Sequence, residues 1–99
     1  MINVNGYSFE GPFSTTHPLK SISGVYLILD QRPDDYYTVD CGEAHDVKDR
    51  VSNHDRKACW HHRSTGRLVV AAHYVQGELK RRAVEQAIRT SLPFPCGKR

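Results

Sequence analysis

One stretch of this chain leaves little choice of structure. Leu68 to Val75 reads Leu-Val-Val-Ala-Ala-His-Tyr-Val, with almost no polar member, between the turn-forming Ser64-Thr65-Gly66 and Gln76-Gly77. Such a run predicts the central strand of a sheet. Flanking strands are supplied by Val25 to Asp30 and Tyr36 to Cys41, joined through Gln31-Arg32-Pro33-Asp34-Asp35, a turn by its Pro and Asp residues. If residues 31–35 form the loop, position 30 faces 36, 28 faces 38 and 26 faces 40. That register predicts Tyr26 and Asp40 as cross-strand neighbours on one face. Gly42 is expected to end the second strand, where a missing Cβ eases a sharp turn into a helix.

Two helices follow from periodicity. Glu43 to Lys57 carries acidic residues in its first turn, basic ones in its last, and Val47, Val51 and Ala58 along one stripe. Arg50 and His54, four apart, share the edge of that stripe. Glu78 to Ser91 offers Leu79, Ala83, Ala87 and Val84, Ile88, Leu92 as two stripes of one broad apolar face, with Glu85 at its rim. Between the helices, 59–67 reads as a loop containing Trp60-His61-His62-Arg63. At the N-terminus, Ile2 to Phe9 predicts at most one edge strand before Gly11-Pro12, and Phe13, Pro18 and Leu19 lay an irregular segment over the core.

At 99 residues, 38% of them hydrophobic and 25% charged, the expectation is a single soluble domain, with 1–21 as an extension and 22–96 as the core. No apolar run approaches the ~20 residues of a membrane span, and Met1 to Glu10 does not read as a signal peptide, so a cytoplasmic location without membrane association is expected. Cys41, Cys59 and Cys96, odd in number and without C-x-x-C spacing, are expected to be free thiols. A formal charge of +3 permits a polyanionic partner without demanding one.

In the order strand, strand, helix, strand, helix, the chain resembles the catalytic domain of the GIY-YIG nucleases. Gly24-Val25-Tyr26 stands at the first family motif and Asp40-Cys41-Gly42 where the Tyr-Ile-Gly motif would be. Arg50 follows Gly42 by eight positions, as the family's helical arginine does, His54 comes four further on, and Glu85 lies where the family places its metal-binding glutamate. The wording of these segments is similar to the small nuclease domain of bacterial excision-repair proteins, and the resemblance covers residues 22–96. It implies an α+β fold with a small three-stranded antiparallel sheet, with room for an extra N-terminal edge strand, flanked by helices in the order β-β-α-β-α.

The resemblance also implies a metal-dependent endonuclease hydrolysing phosphodiester bonds in nucleic acid, DNA before RNA. Glu85 would hold one divalent ion, Mg or Mn, acting as Lewis acid. Arg50 would present its planar fork to the phosphate. Tyr26 would orient or deprotonate the attacking water, which requires its pKa of about 10 to be lowered by nearby positive charge. His54 would assist proton transfer or contact the phosphate. Arg50, Arg63 and Arg81 would hold nucleic acid, and specificity would come from a partner protein or a homo-oligomer.

Three positions depart from the family pattern. Asp40 replaces the second tyrosine, Glu43 stands where excision-repair relatives carry lysine, and Leu92 to Gly97 lacks the asparagine found beyond the glutamate. Either Asp40 serves as base or extra metal ligand opposite Tyr26, or the scaffold has become a non-catalytic nucleic-acid-binding or protein-interaction module. Each residue also has an ordinary reading: Tyr26 as a strand aromatic, Arg50 paired with Asp46, Glu85 paired with Arg81 or Arg89. His54, Cys59, His61 and His62 are zinc-ligand types without a familiar spacing, and Cys41 could be a thiolate nucleophile or a buried thiol. Trp60 with its basic neighbours could stack on bases.

Overall fold

A computed structural model describes residues 1–97. The fold is α+β: strands β1 (Ile2–Val4), β2 (Tyr7–Phe13), β3 (Gly24–Gln31), β4 (Tyr36–Ala44) and β5 (Arg67–Tyr74), with helices α1 (Val47–Ser52), α2 (Lys57–Arg63) and α3 (Glu78–Ser91). The sheet is antiparallel and five-stranded, in the order β1-β2-β5-β3-β4, rather than three-stranded with at most one extra edge. The apolar run 68–75 does take the middle position.

The N-terminal strands form a hairpin, with Val4 opposite Tyr7 and only Asn5-Gly6 between them. Both turn residues have positive φ, 53° and 85°. Asn-Gly suits such a two-residue turn, so its sequence signal was present although only one strand was expected there. β2 then pairs with β5 and completes the sheet on the side away from β4.

Both faces of the sheet are covered, which explains the unbroken burial from Gly24 to Asp30. Val25, Leu27 and Leu29 pack with Val69, Ala71, Val84 and Ile88 under α3. Tyr26 and Ile28 pack with Val70, Ala72, Val47, Val51 and Trp60 under α1 and α2. Alternation along a strand puts successive side chains on opposite faces, so each strand feeds both layers. Only the Val84–Ile88 stripe of α3 is core; Leu79 is 84% exposed, which narrows the broad apolar face expected for this helix.

The β3–β4 register departs from expectation. Gln31 pairs with Tyr36 and Leu29 with Thr38, then an irregularity at Val39 shifts the ladder, so that Ile28 faces Asp40 and Tyr26 faces Gly42. Tyr26 and Asp40 are thus diagonal neighbours on one face instead of a facing pair. A tighter turn and a bulged residue, neither visible in the hydrophobic pattern, account for the difference. β4 also continues through Gly42 to Ala44 instead of ending at Gly42, because Glu43 and Ala44 still pair with Val25 and Gly24.

The expected single helix from Glu43 to Lys57 is accordingly two short ones. Asp46 caps α1 by accepting from the Asp49 N–H at 3.0 Å, and α1 stops at Ser52, after which His54 turns inward. Trp60-His61-His62-Arg63, expected in a loop, belongs to α2. Trp60 is only 4% exposed and is therefore a core residue rather than a platform for bases. Cys59 and Cys96 form a disulfide and Cys41 is a buried thiol outside it, which corrects the expectation of three free thiols. Disulfides persist mainly in oxidising compartments, a different setting from the expected cytoplasm. Among the described residues no helix is long and apolar enough to cross a membrane.

Candidate active site

Four elements and the segment before α2 aim polar side chains at one cavity of about 230 Å³. Tyr26 comes from β3, Arg50 from α1, Glu85 and Arg89 from α3, and Arg56 from the residue preceding α2. Tyr26 is placed by its small neighbours, since it lies between Gly42 on β4 and Ala72 on β5. A Cβ on Gly42 would sit 2.1 Å from the Tyr26 oxygen, so the absence of a side chain there lets the ring fold across the strand.

Behind Tyr26 stands His54, whose Nε2 is 2.6 Å from the phenolic oxygen. His54 is 5% exposed, and burial, followed by the charges of Arg50 and Arg56, lowers its pKa to about 4. It is therefore neutral near pH 7. Its Nδ1 accepts the Arg56 backbone N–H at 3.0 Å and lies 3.3 Å from the exposed Asp55 carboxylate. The backbone amide requires a lone pair on Nδ1, which assigns the proton to Nε2. Nε2–H then donates to Tyr26, and the tyrosine's own proton is directed to another acceptor.

Burial first, then the negative charge of Asp40, raises the Tyr26 pKa to about 12, outweighing Arg50 and Arg56. The lowering expected for a tyrosine base is thus reversed. At neutral pH Tyr26 is a hydrogen-bond donor.

Asp40 is wholly buried and lies beneath the cavity. Its Oδ2 accepts from Arg56 Nε at 2.8 Å and Trp60 Nε1 at 2.7 Å. Its Oδ1 accepts from Arg89 Nη2 and the Cys41 N–H, both at 2.8 Å, and from Arg56 Nη2 at 3.3 Å. Burial alone would raise its pKa, but the bonds from Arg56 and Trp60 prevail and lower it. Five donors leave this carboxylate no vacant lone pair for a metal or a proton, the two roles that facing Tyr26 had suggested.

Glu85 is 3% exposed and accepts from Arg89 Nε at 2.9 Å, the i, i+4 alternative raised by the sequence. Glu43, also on the cavity wall, is held by Arg81 at 2.6 Å and Arg82 at 3.8 Å. Arg81 is thereby committed within the protein, being 14% exposed, whereas Arg63 is exposed on α2; neither lines the cavity. Arg50 pairs with Asp55 at 3.3 Å instead of Asp46, which is spent as a helix cap.

Among the described residues no three His, Cys, Asp or Glu side chains gather to hold a metal by themselves, and none of the zinc-type residues does so. Of the two carboxylates on the cavity wall, Glu43 is held by Arg81 and Glu85 by Arg89, so Glu85 would suit only a magnesium or manganese ion that keeps most of its water. It does not fit zinc, which is enclosed by protein ligands.

Arg56 and Arg89 are what the sequence reading underused. The signal was Asp40 itself, because a carboxylate on a buried strand must have charged or amide donors. No family model, no curated protein and no solved structure matches this chain.

Proposed function

We propose that this cavity binds a phosphodiester of nucleic acid, DNA before RNA, and hydrolyses it with one divalent ion at Glu85, in the manner of a GIY-YIG nuclease. The observation that carries the reading is the convergence of Tyr26, Arg50 and Glu85, from three elements, on one guanidinium-rich cavity. Arg50 grips the phosphate through its fork. The Tyr26 hydroxyl, fixed from behind by His54, donates to the attacking water or to a phosphate oxygen and so orients it. Asp40 holds guanidiniums in place. A divalent ion held by Glu85 would supply Lewis-acid charge at the phosphate.

Incubating the protein with DNA and RNA, with magnesium or manganese, tests this. Cleavage that Glu85→Gln abolishes is the expected result; intact substrates with wild-type protein overturn the catalytic reading. A second reading, a nucleic-acid-binding module without catalysis, has one observation in its favour. Tyr26 at about 12 and His54 at about 4 leave neither group poised as a base near neutral pH. Binding without cleavage would select it.

A further inference from the structure

We infer that Arg56 is a second phosphate-gripping guanidinium of this cavity, beside Arg50, and that Asp40 is the buried anchor that positions it. The inference rests on the nucleic-acid reading for its ligand and goes beyond it in assigning a residue outside the motifs.

A guanidinium has five N–H groups in a rigid fork. Arg56 spends Nε and one Nη2 hydrogen on Asp40, which leaves its end-on edge, Nη1 and the remaining Nη2 hydrogen, for another acceptor. That edge is the pair that grips a phosphate with two parallel bonds. The side chain is 32% exposed and lines the cavity, while its anchor is 0% exposed. Arg89 is differently committed: its Nε goes to Glu85 and its Nη2 to both Asp40 and the Cys41 carbonyl, and it is 11% exposed. Its work is to balance the two buried carboxylates.

Charge supports the same assignment. Among the described residues, Arg50, Arg56 and Arg89 meet the buried carboxylates Asp40 and Glu85 at this cavity, while Glu43, also on its wall, is offset by Arg81 and Arg82. Asp55, the further partner of Arg50, is 74% exposed, so solvent screens it strongly. Gly97 packs against the anchor, for a Cβ there would come within 2.6 Å of Asp40 Oδ1 and 2.9 Å of Arg56 Cζ. A guanidinium held this way loses little further rotamer freedom when it binds an anion.

The test is titration of a mixed-sequence oligodeoxynucleotide in EDTA, at several salt concentrations, with thermal melts of every variant. Arg56→Gln is expected to weaken binding about tenfold and to reduce the slope of log affinity against log salt by about one, as for one lost phosphate contact. Because that variant orphans Asp40, the decisive protein is Asp40→Asn with Arg56→Gln, which removes one charge of each sign. Equally weak binding and the same shallower slope in this charge-neutral pair assign the loss to the Arg56 donors. Wild-type binding and slope in the pair would overturn the inference, showing that Arg56 only neutralises Asp40. Arg56→Lys keeps the charge without the fork and is expected to bind with intermediate affinity; wild-type affinity would remove the two-pronged grip. Binding that Arg50→Gln weakens but the pair does not would sink this assignment alone, whereas a wild-type protein that leaves the oligonucleotide unbound overturns it together with the nucleic-acid reading.

Discussion

Asp30 and Asp40 lie on adjacent strands, both without exposed surface, and are satisfied by different kinds of donor. Asp30 accepts from the Gly66 N–H at 2.8 Å, the Thr65 N–H at 3.0 Å and the Ser64 hydroxyl at 3.1 Å, with one guanidinium, Arg32, at 2.8 Å. Burial would raise its pKa, yet these bonds, the Thr65 amide first, lower it to about 2. The result is a clasp between the end of β3 and the turn entering β5. Asp40 is instead held chiefly by side chains, two guanidiniums and an indole beside the Cys41 N–H, and both guanidiniums line a cavity. A carboxylate closed by amides and hydroxyls fastens the chain; one closed by arginines also presents cations to whatever enters beside them.

Truncation should separate the two carboxylates most. Asp40→Ala should cost about 3–5 kcal/mol in urea unfolding, because it leaves two guanidiniums partly buried without their counter-charge. It should also weaken oligonucleotide binding beyond what stability explains. Asp30→Ala should lose comparable stability while the remaining folded protein binds as wild type. If Asp30→Ala weakens binding as much, the two clusters are not functionally distinct.

Acid should separate them next. His54 has a folded pKa of about 4 against 6.5 unfolded, so the unfolded chain takes up the proton first as pH falls. Its contribution is complete above pH 6.5, is lost between about 6.5 and 4, and is on the order of 3 kcal/mol at most. Asp30, with its folded pKa of about 2, should lose its contribution only below its ordinary value of 3.8. Urea melts across pH should therefore show the first loss in the wild type and not in His54→Asn; a stability flat from pH 6.5 to 4 would refute the buried neutral imidazole.

Gly42→Ala should cost about 1–3 kcal/mol, since its methyl would displace the Tyr26 ring on the Asp40 side of the sheet. Loss of the Tyr26–His54 contact would be read as a changed tyrosine titration. The smallest effect expected is that of Trp60→Phe, about 1–2 kcal/mol for one bond to Asp40 that the phenyl ring cannot make. Unchanged stability there would show that the arginines satisfy Asp40 unaided.

Much of the site was legible because its residues fall on elements with strong local signals. Tyr26 sits in an apolar strand, Arg50 on a helix stripe and Glu85 on the longest helix, and all three reach the cavity. The break of the first helix was harder to see, because Asn53 and His54 are compatible with a helix until His54 finds Tyr26 across the fold. Arg81 was expected to hold nucleic acid or to pair with Glu85, yet Glu43, 38 residues earlier, claims it. The Cys59–Cys96 bond likewise joins residues 37 apart with no spacing pattern to announce it.

Local pattern was enough for the existence of β3, β4 and β5, for α3 and for the middle position of β5, because alternation and apolar runs are properties of neighbouring residues. The tertiary structure alone decided the bulge at Val39, the pairing of Tyr26 with Gly42, and the meeting of Asp40 with Arg56 and Arg89, 16 and 49 positions away. A buried charge declares only that it needs partners; which cations answer it depends on the elements the packed core brings to its side.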